Sequence, residues 1–202
     1  MSGGGLLIFG AGGGGGAPSI YVRDTFTGAD GTGLDLHTPD IDVVGTGWVE
    51  FSGTWEISGN RLRETVGDFK VCGINAGQLD VDQETVAAQV GNSDPGLTAR
   101  LVDNSNYIVA IWGRATNQIN LYSVVAGVLT NFASVAGVLV AGEVLRLRSQ
   151  GNVYTVFVND VQKLQGTSPV AHVGTRYGYF SHLVVGWNPD MLWDNFEVRP
   201  IA

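Results

Sequence analysis

The strongest constraint on this chain is its punctuation. Beyond Pro18 no stretch of about a dozen residues keeps a helical period without Gly or Pro inside it. Short β-branched and aromatic runs take its place: "YIVAIW" (107–112), "QINLYSVV" (118–125), "VLRLRS" (144–149), "VYTVFV" (153–158) and "LWDNFEV" (192–198). Each is strand-length and rich in β formers. Between them lie "DNSN", "GRATN", "SQGN", "VND" and "WNPD", whose Asn, Asp, Gly and Pro residues supply turn chemistry. A spacing of about ten residues with tight turns makes neighbours antiparallel, so the expected fold is all-β: an antiparallel two-sheet β-sandwich of the jelly-roll kind.

Alternation predicts which faces are buried. In "EVLRLRS", Leu145 and Leu147 point one way while Arg146 and Arg148 point the other, as a half-buried strand requires. "YIVAIW" is apolar on both faces, which suits a central strand covered on both sides. Trp55 alternates with Ile57 and is expected in the core. In "LWDNFEV", strict alternation puts Leu192, Asp194, Phe196 and Val198 on one face and Trp193, Asn195 and Glu197 on the other, which predicts an outward Trp193. The echo "VAGVL" at 125–129 and 135–139 is too short for a solenoid unit, and reads as two similar turns flanking "LTNFAS".

Composition narrows the partners. The 202 residues fit one large domain, and 19 acidic against 11 basic residues give a net charge of −8. That sign opposes the phosphate neutralisation behind nucleic-acid binding, so neither DNA nor RNA is an expected ligand. The longest apolar-plus-glycine run, "VAGVLVAG" (135–142), is far short of the roughly twenty residues that span a bilayer, and no membrane partner is expected. The single Cys72, in "KVCGIN", excludes an intrachain disulfide and reads as a small buried hydrophobe.

The opening "MSGGGLLIFGAGGGGGAPSI" stands apart. Nine of the first seventeen residues are glycine, yet Leu6, Leu7, Ile8 and Phe9 form a greasy tetrapeptide among them. A secretory signal needs a positive n-region and a longer apolar core, and neither is found here, so no signal peptide is expected. Glycine at this density opposes a helix. The segment 1–19 therefore reads as an extended docking arm, preceding a β-sandwich domain over 20–202. Laid beside an exposed strand, such an arm would present Leu6 and Ile8 to one side and Leu7 and Phe9 to the other.

Several segments together resemble the concanavalin A-like lectin/glucanase superfamily, in particular its laminin-G-like jelly rolls. "DTFTGADGTGLDLHTPD" looks like that group's first strand and Gly-rich turn, and "GTWEISGNRLRE" like its next hairpin. "GLTARLVDNSNYIVAIW" is similar to its central strand pair, and "TRYGYFS" with "WDNFEV" to its closing strands. The resemblance spans about residues 20–200 and implies two curved antiparallel sheets with the first and last strands adjacent. Such domains occur in lectins, glycosidases, extracellular modules and phage virion proteins, so fold alone does not select a function.

Glycosidases of this superfamily carry acidic residues in a Glu-x-Asp-x-Glu type motif on one strand. The nearest match is "LDVDQET", where Asp80, Asp82 and Glu84 would share a strand face at about 7 Å spacing, near what glycoside hydrolysis uses. The motif departs at its first position, Asp80 in place of Glu, and the preceding "NAGQ" makes Asp80 a turn residue. The expectation is a solvated strand entry with the strand starting near Gln83, and no enzyme. His37, His172 and His182 form no triad or metal motif, and His37 reads as a loop residue. Superfamily members hold calcium near loops such as "DNSN" with its Asp103, but a hairpin turn explains the same letters and the run supplies few of the six to eight oxygens, roughly, that calcium takes. No cofactor is expected, with calcium at the Asp103 loop as the alternative.

Aromatic faces stack on the apolar faces of sugar rings, and Trp112, Tyr177, Tyr179, Trp187 and Trp193 are the candidates for such a platform. The opening arm also resembles the short Leu- and Gly-rich starts of phage virion proteins. Taken together, the reading is a non-enzymatic virion component, a capsid decoration or tail-associated protein assembled in the host cytoplasm. Its partners would be other virion proteins, copies of itself and cell-surface glycans. The alternatives are a free carbohydrate-binding module and, after it, a glycoside hydrolase.

Overall fold

A computed structural model describes residues 19–65, 68–182 and 191–201. Strands, numbered in chain order, form two antiparallel sheets. The first runs β14 (Val161–Thr167), β13 (Val153–Val158), β12 (Val144–Gln150), β7 (Val81–Gln89), β16 (Leu192–Arg199), β1 (Val22–Asp24) and β2 (Ile41–Asp42), with β5 (Leu62–Glu64) also paired to β16 and β4 (Trp55–Ile57) beyond it. The second runs β11 (Val128–Ala136), β10 (Gln118–Val125), β9 (Asn106–Gly113), β8 (Asp94–Asp103), β15 (Arg176–His182), β6 (Phe69–Asn75) and β3 (Trp48–Ser52). Among the described residues the helical content is one short 3₁₀ turn, Leu34–Leu36, and no helix is long and apolar enough to cross a membrane. First and last strands are neighbours, Val22 facing Val198.

Period-two patterning builds both layers. Leu145 and Leu147 of β12 are fully buried while Arg146 and Arg148 lie on the opposite face, and Trp55 and Ile57 are core residues. The main core lies between the sheets and is centred on Tyr179. The rings of Phe26, Trp48, Trp55, Trp193 and Phe196 surround it with centroids 4.9–6.3 Å away. Its hydroxyl bonds Thr85 Oγ1 at 2.8 Å, which satisfies the one polar atom that this burial would otherwise strand. Burial pushes the Tyr179 phenol far above its ordinary value. Cys72 is enclosed in the same core.

Strand β9 splits its side chains between two clusters. Ile108, Ala110 and Trp112 join the main core, whereas Tyr107, Val109 and Ile111 join Val71, Leu101, Val124 and Phe180 in a second cluster on the outer face of the seven-stranded sheet. The two-sided apolarity of "YIVAIW" thus reflects a sheet that is greasy on its outside as well as its inside.

One correction concerns β16. Asn195 has φ 52°, and the pairing with β7 slips between Asp194 and Glu197. A β-bulge inserts one extra residue and reverses the alternation beyond it. Trp193 therefore faces the core together with Phe196 and Val198, all three fully buried.

Candidate functional site

The outer face of the seven-stranded sheet carries a groove. One part, of about 290 Å³, is lined by Phe69, Asp94, Ile111, Gly113, Thr116, Gln118, Asn120, Tyr122, Leu129, Phe180 and His182. A second part, of about 140 Å³, shares Phe69 and Leu129 and continues over Val71, Tyr107 and Val124. Register explains the assembly. Asn120 faces Ile111 across β10–β9, Ile111 faces Gly96 on β8, Gly96 faces Phe180 on β15, and Phe180 faces Val71 on β6. A row through five strands thus has no side chain at its middle, at Gly96, and rises to aromatic or amide groups on either side.

The floor is apolar and the rim polar. Phe69 is 52% exposed, stacks on His182 with ring centroids 4.4 Å apart, and leans on Phe180 at 6.2 Å. Opposite it, Gln118, Asn120 and Tyr122 project from alternate positions of β10. Asn120 Oδ1 accepts from Ser134 Oγ at 2.8 Å, which fixes the amide plane and turns its NH₂ group toward longer contacts only, such as the Gln118 carbonyl at 3.5 Å. Asp94 Oδ1 accepts from the Arg114 amide at 2.8 Å, and its Oδ2 stands 3.9 Å from His182 Nδ1, beyond hydrogen-bond length. The groove thus offers an open aromatic face, planar amide and carboxylate groups, and a hydroxyl at Thr116. This is the equipment for a ligand with apolar C–H faces and many hydroxyls.

The residues singled out from the sequence lie elsewhere. Trp112, Tyr177, Tyr179 and Trp193 are buried, so they form no stacking platform. The reason is physical: on inward positions of a two-sheet sandwich the largest apolar areas fill the space between layers. Tyr177 donates its hydroxyl to the Leu79 carbonyl at 2.7 Å, and Trp112 lines only a small depression of about 80 Å³ beside Pro95 and Leu139. Trp187 and the arm residues Leu6, Leu7, Ile8 and Phe9 lie outside the described residues.

The acidic stretch is also resolved differently. Strand β7 begins at Val81, and Asp82 is fully buried, not solvated. Arg148 holds it through Nε at 2.8 Å and Nη2 at 2.7 Å, and Arg146 adds Nη1 at 3.4 Å. Glu84 pairs with Arg199 at 2.7 Å, and Asp80 caps the Gly151 amide and pairs with Arg100 at 2.7 Å. Arg146 also lies 4.1 Å over the Phe157 ring. Asp82 and Glu84 belong to a ladder of alternating charges across β12, β7 and β16 on the nine-stranded sheet, the layer opposite the groove. "DNSN" forms the β8–β9 hairpin, where Asp103 Oδ1 accepts from the Ser105 amide and the Asn106 side chain.

His37 does lie in a loop, but its ring is enclosed. Its Nε2 pairs with Asp24 Oδ1 at 2.8 Å, and that buried carboxylate also accepts from the Phe26 amide and from Trp48 Nε1, each at 2.7 Å. Burial raises the Asp24 carboxyl above its ordinary value in spite of these bonds. His172 is buried as well, with Nε2 2.9 Å from Ser123 Oγ.

No protein-family model and no curated protein matches the chain. Solved structures do resemble it. The carbohydrate binding module CBM66 from Bacillus subtilis superposes with a TM-score of 0.56 at 14% identity, over 75% of this chain and 92% of that one. A protein of unknown function with a galectin-like fold from Bacillus subtilis gives 0.53 at 15%, over 85% and 96%. The carbohydrate recognition domain of Emp47p gives 0.57 at 10%, over 93% and 100%. The two-sheet architecture, the adjacency of β1 and β16 and these superpositions give the chain the concanavalin A-like jelly-roll fold.

Proposed function

We propose that this chain is a non-enzymatic glycan-binding domain carried on a phage particle, its ligand lying along the outer groove of the seven-stranded sheet. The observation that supports the binding half is the juxtaposition of exposed Phe69, stacked on His182, with Asn120 and Gln118 across an apolar floor. Phe69 would take the C–H face of a sugar ring, and the Asn120 and Gln118 amides would take adjacent hydroxyls. A rim bearing Asp94, on a chain of net charge −8, favours neutral over acidic saccharides. The fold shared with carbohydrate-binding domains agrees with this reading, and the three acids of "LDVDQET" are engaged by arginines on the other sheet.

The particle half rests on the sequence of residues 1–19, read as a docking arm through Leu6, Leu7, Ile8 and Phe9. Two experiments separate the halves. A panel of neutral glycans is applied to the protein and to Phe69→Ala, with binding expected for the first and lost in the second. Deletion of residues 2–16 is expected to abolish co-sedimentation with a phage particle while glycan binding persists. A protein that binds no glycan refutes the first half, and one that never associates with particles refutes the second.

A further inference from the structure

Lys70 and Glu64 are both fully enclosed, with Nζ 3.8 Å from Oε2. Among the described residues, neither the nitrogen nor either carboxylate oxygen has a hydrogen-bond partner. Two desolvated ions are tolerated in a dry interior only where close geometry and further hydrogen bonds satisfy their remaining donors and lone pairs. Here the contact between them is longer than a hydrogen bond, and Asp68 adds its charge to Lys70 without a hydrogen bond among the described residues. The Lys70 stem is also held in place: it passes beneath Gly53, where a Cβ would fall 2.4 Å from Lys70 Cγ. Glu64 faces Trp55 across β4–β5, and the Trp55 indole N–H is likewise buried without a hydrogen-bond partner among the described residues.

We propose that Lys70 and Glu64 condense into an intramolecular isopeptide bond. In the enclosed pair the ammonium proton passes to the carboxylate, leaving an amine beside a carboxylic acid. The Nζ lone pair adds to Cδ, forming the C–N bond, and the tetrahedral carbon then expels its hydroxyl, which leaves with an Nζ proton as water. No oxidant, cofactor or further reactant enters the balance. Burial lowers the Lys70 ammonium from its ordinary value, which favours the nucleophilic amine. The product replaces two stranded charges with a neutral amide. Because β5 belongs to the nine-stranded sheet and β6 to the seven-stranded one, the bond would tie the two layers covalently.

Mass spectrometry of the denatured full-length chain tests this directly. The protein is expected to be lighter than its sequence by the mass of one water, and a tryptic digest to yield a single looped peptide, residues 64–100, lighter by one water and uncleaved at Lys70. Lys70→Met and Glu64→Leu should each restore the full mass of the variant sequence. A wild-type chain that keeps its full mass after prolonged incubation at neutral pH, and is cut by trypsin after Lys70, overturns the proposal whether or not the variants fold.

Discussion

Trp48 and Asp24 join the two sheets through one 2.7 Å bond, the indole Nε1 of β3 donating to the buried Oδ2 on β1. Trp48→Phe keeps a ring in the core but leaves that oxygen without a donor. Unfolding in urea should show a loss of about 1–3 kcal/mol, seen as a lower midpoint at unchanged slope.

His172 gives the fold an acid sensitivity. Burial, with Arg100 nearby, lowers its imidazole below the ordinary value of 6.5, so the unfolded chain takes up the proton more readily than the native one. Its contribution is complete above the unfolded value and is lost as pH falls through 6.5 toward the folded one. Denaturant titrations between about pH 7 and pH 5 should show falling stability, and His172→Asn should flatten that slope. An identical slope in the variant would exclude His172 as its source.

Asp82 anchors two arginines from beneath. Asp82→Asn leaves Arg146 and Arg148 without their carboxylate, a loss of about 3 kcal/mol by analogy with broken buried pairs. Thermal unfolding checks the stability, and glycan binding below that transition should be unchanged because the groove lies on the other sheet.

Gly178 is required by space. A Cβ there would sit 2.3 Å from the Cys72 carbonyl oxygen and 2.7 Å from Gly73 Cα, both backbone atoms that cannot swing aside. Gly178→Ala should lower stability by about 2 kcal/mol or more, measured by calorimetry.

Asn120→Ala removes an amide from the groove while its neighbours Ser134 and Asn131 stay on the surface. Affinity for a bound glycan should fall by about tenfold, read by isothermal titration.

Much of the architecture was legible because alternation is a local property. β12, β9 and the Trp55–Ile57 pair could be placed from their own letters. Trp193 could not, since the bulge that turns it inward depends on how β16 pairs with β7, and Asn195 carries no warning of its positive φ in "WDNFEV". The aromatic platform failed for a related reason: a Tyr or Trp in a strand run can face either layer boundary, and here all four described candidates face inward. The groove was hidden because its residues come from six strands spread between Phe69 and His182. One signal was readable: Gln118, Asn120 and Tyr122 recur at every second position of "QINLYSVV", a polar stripe opposite the inward Ile119 and Leu121. Phe69, in "GDFKVCG", gave no such cue.

The side-by-side placement of β1 and β16 has an architectural consequence. The outer ends of β1 and β16 therefore lie side by side, on the nine-stranded layer away from Phe69 and Asn120. A tether attached at that corner reaches the body from the face opposite the groove.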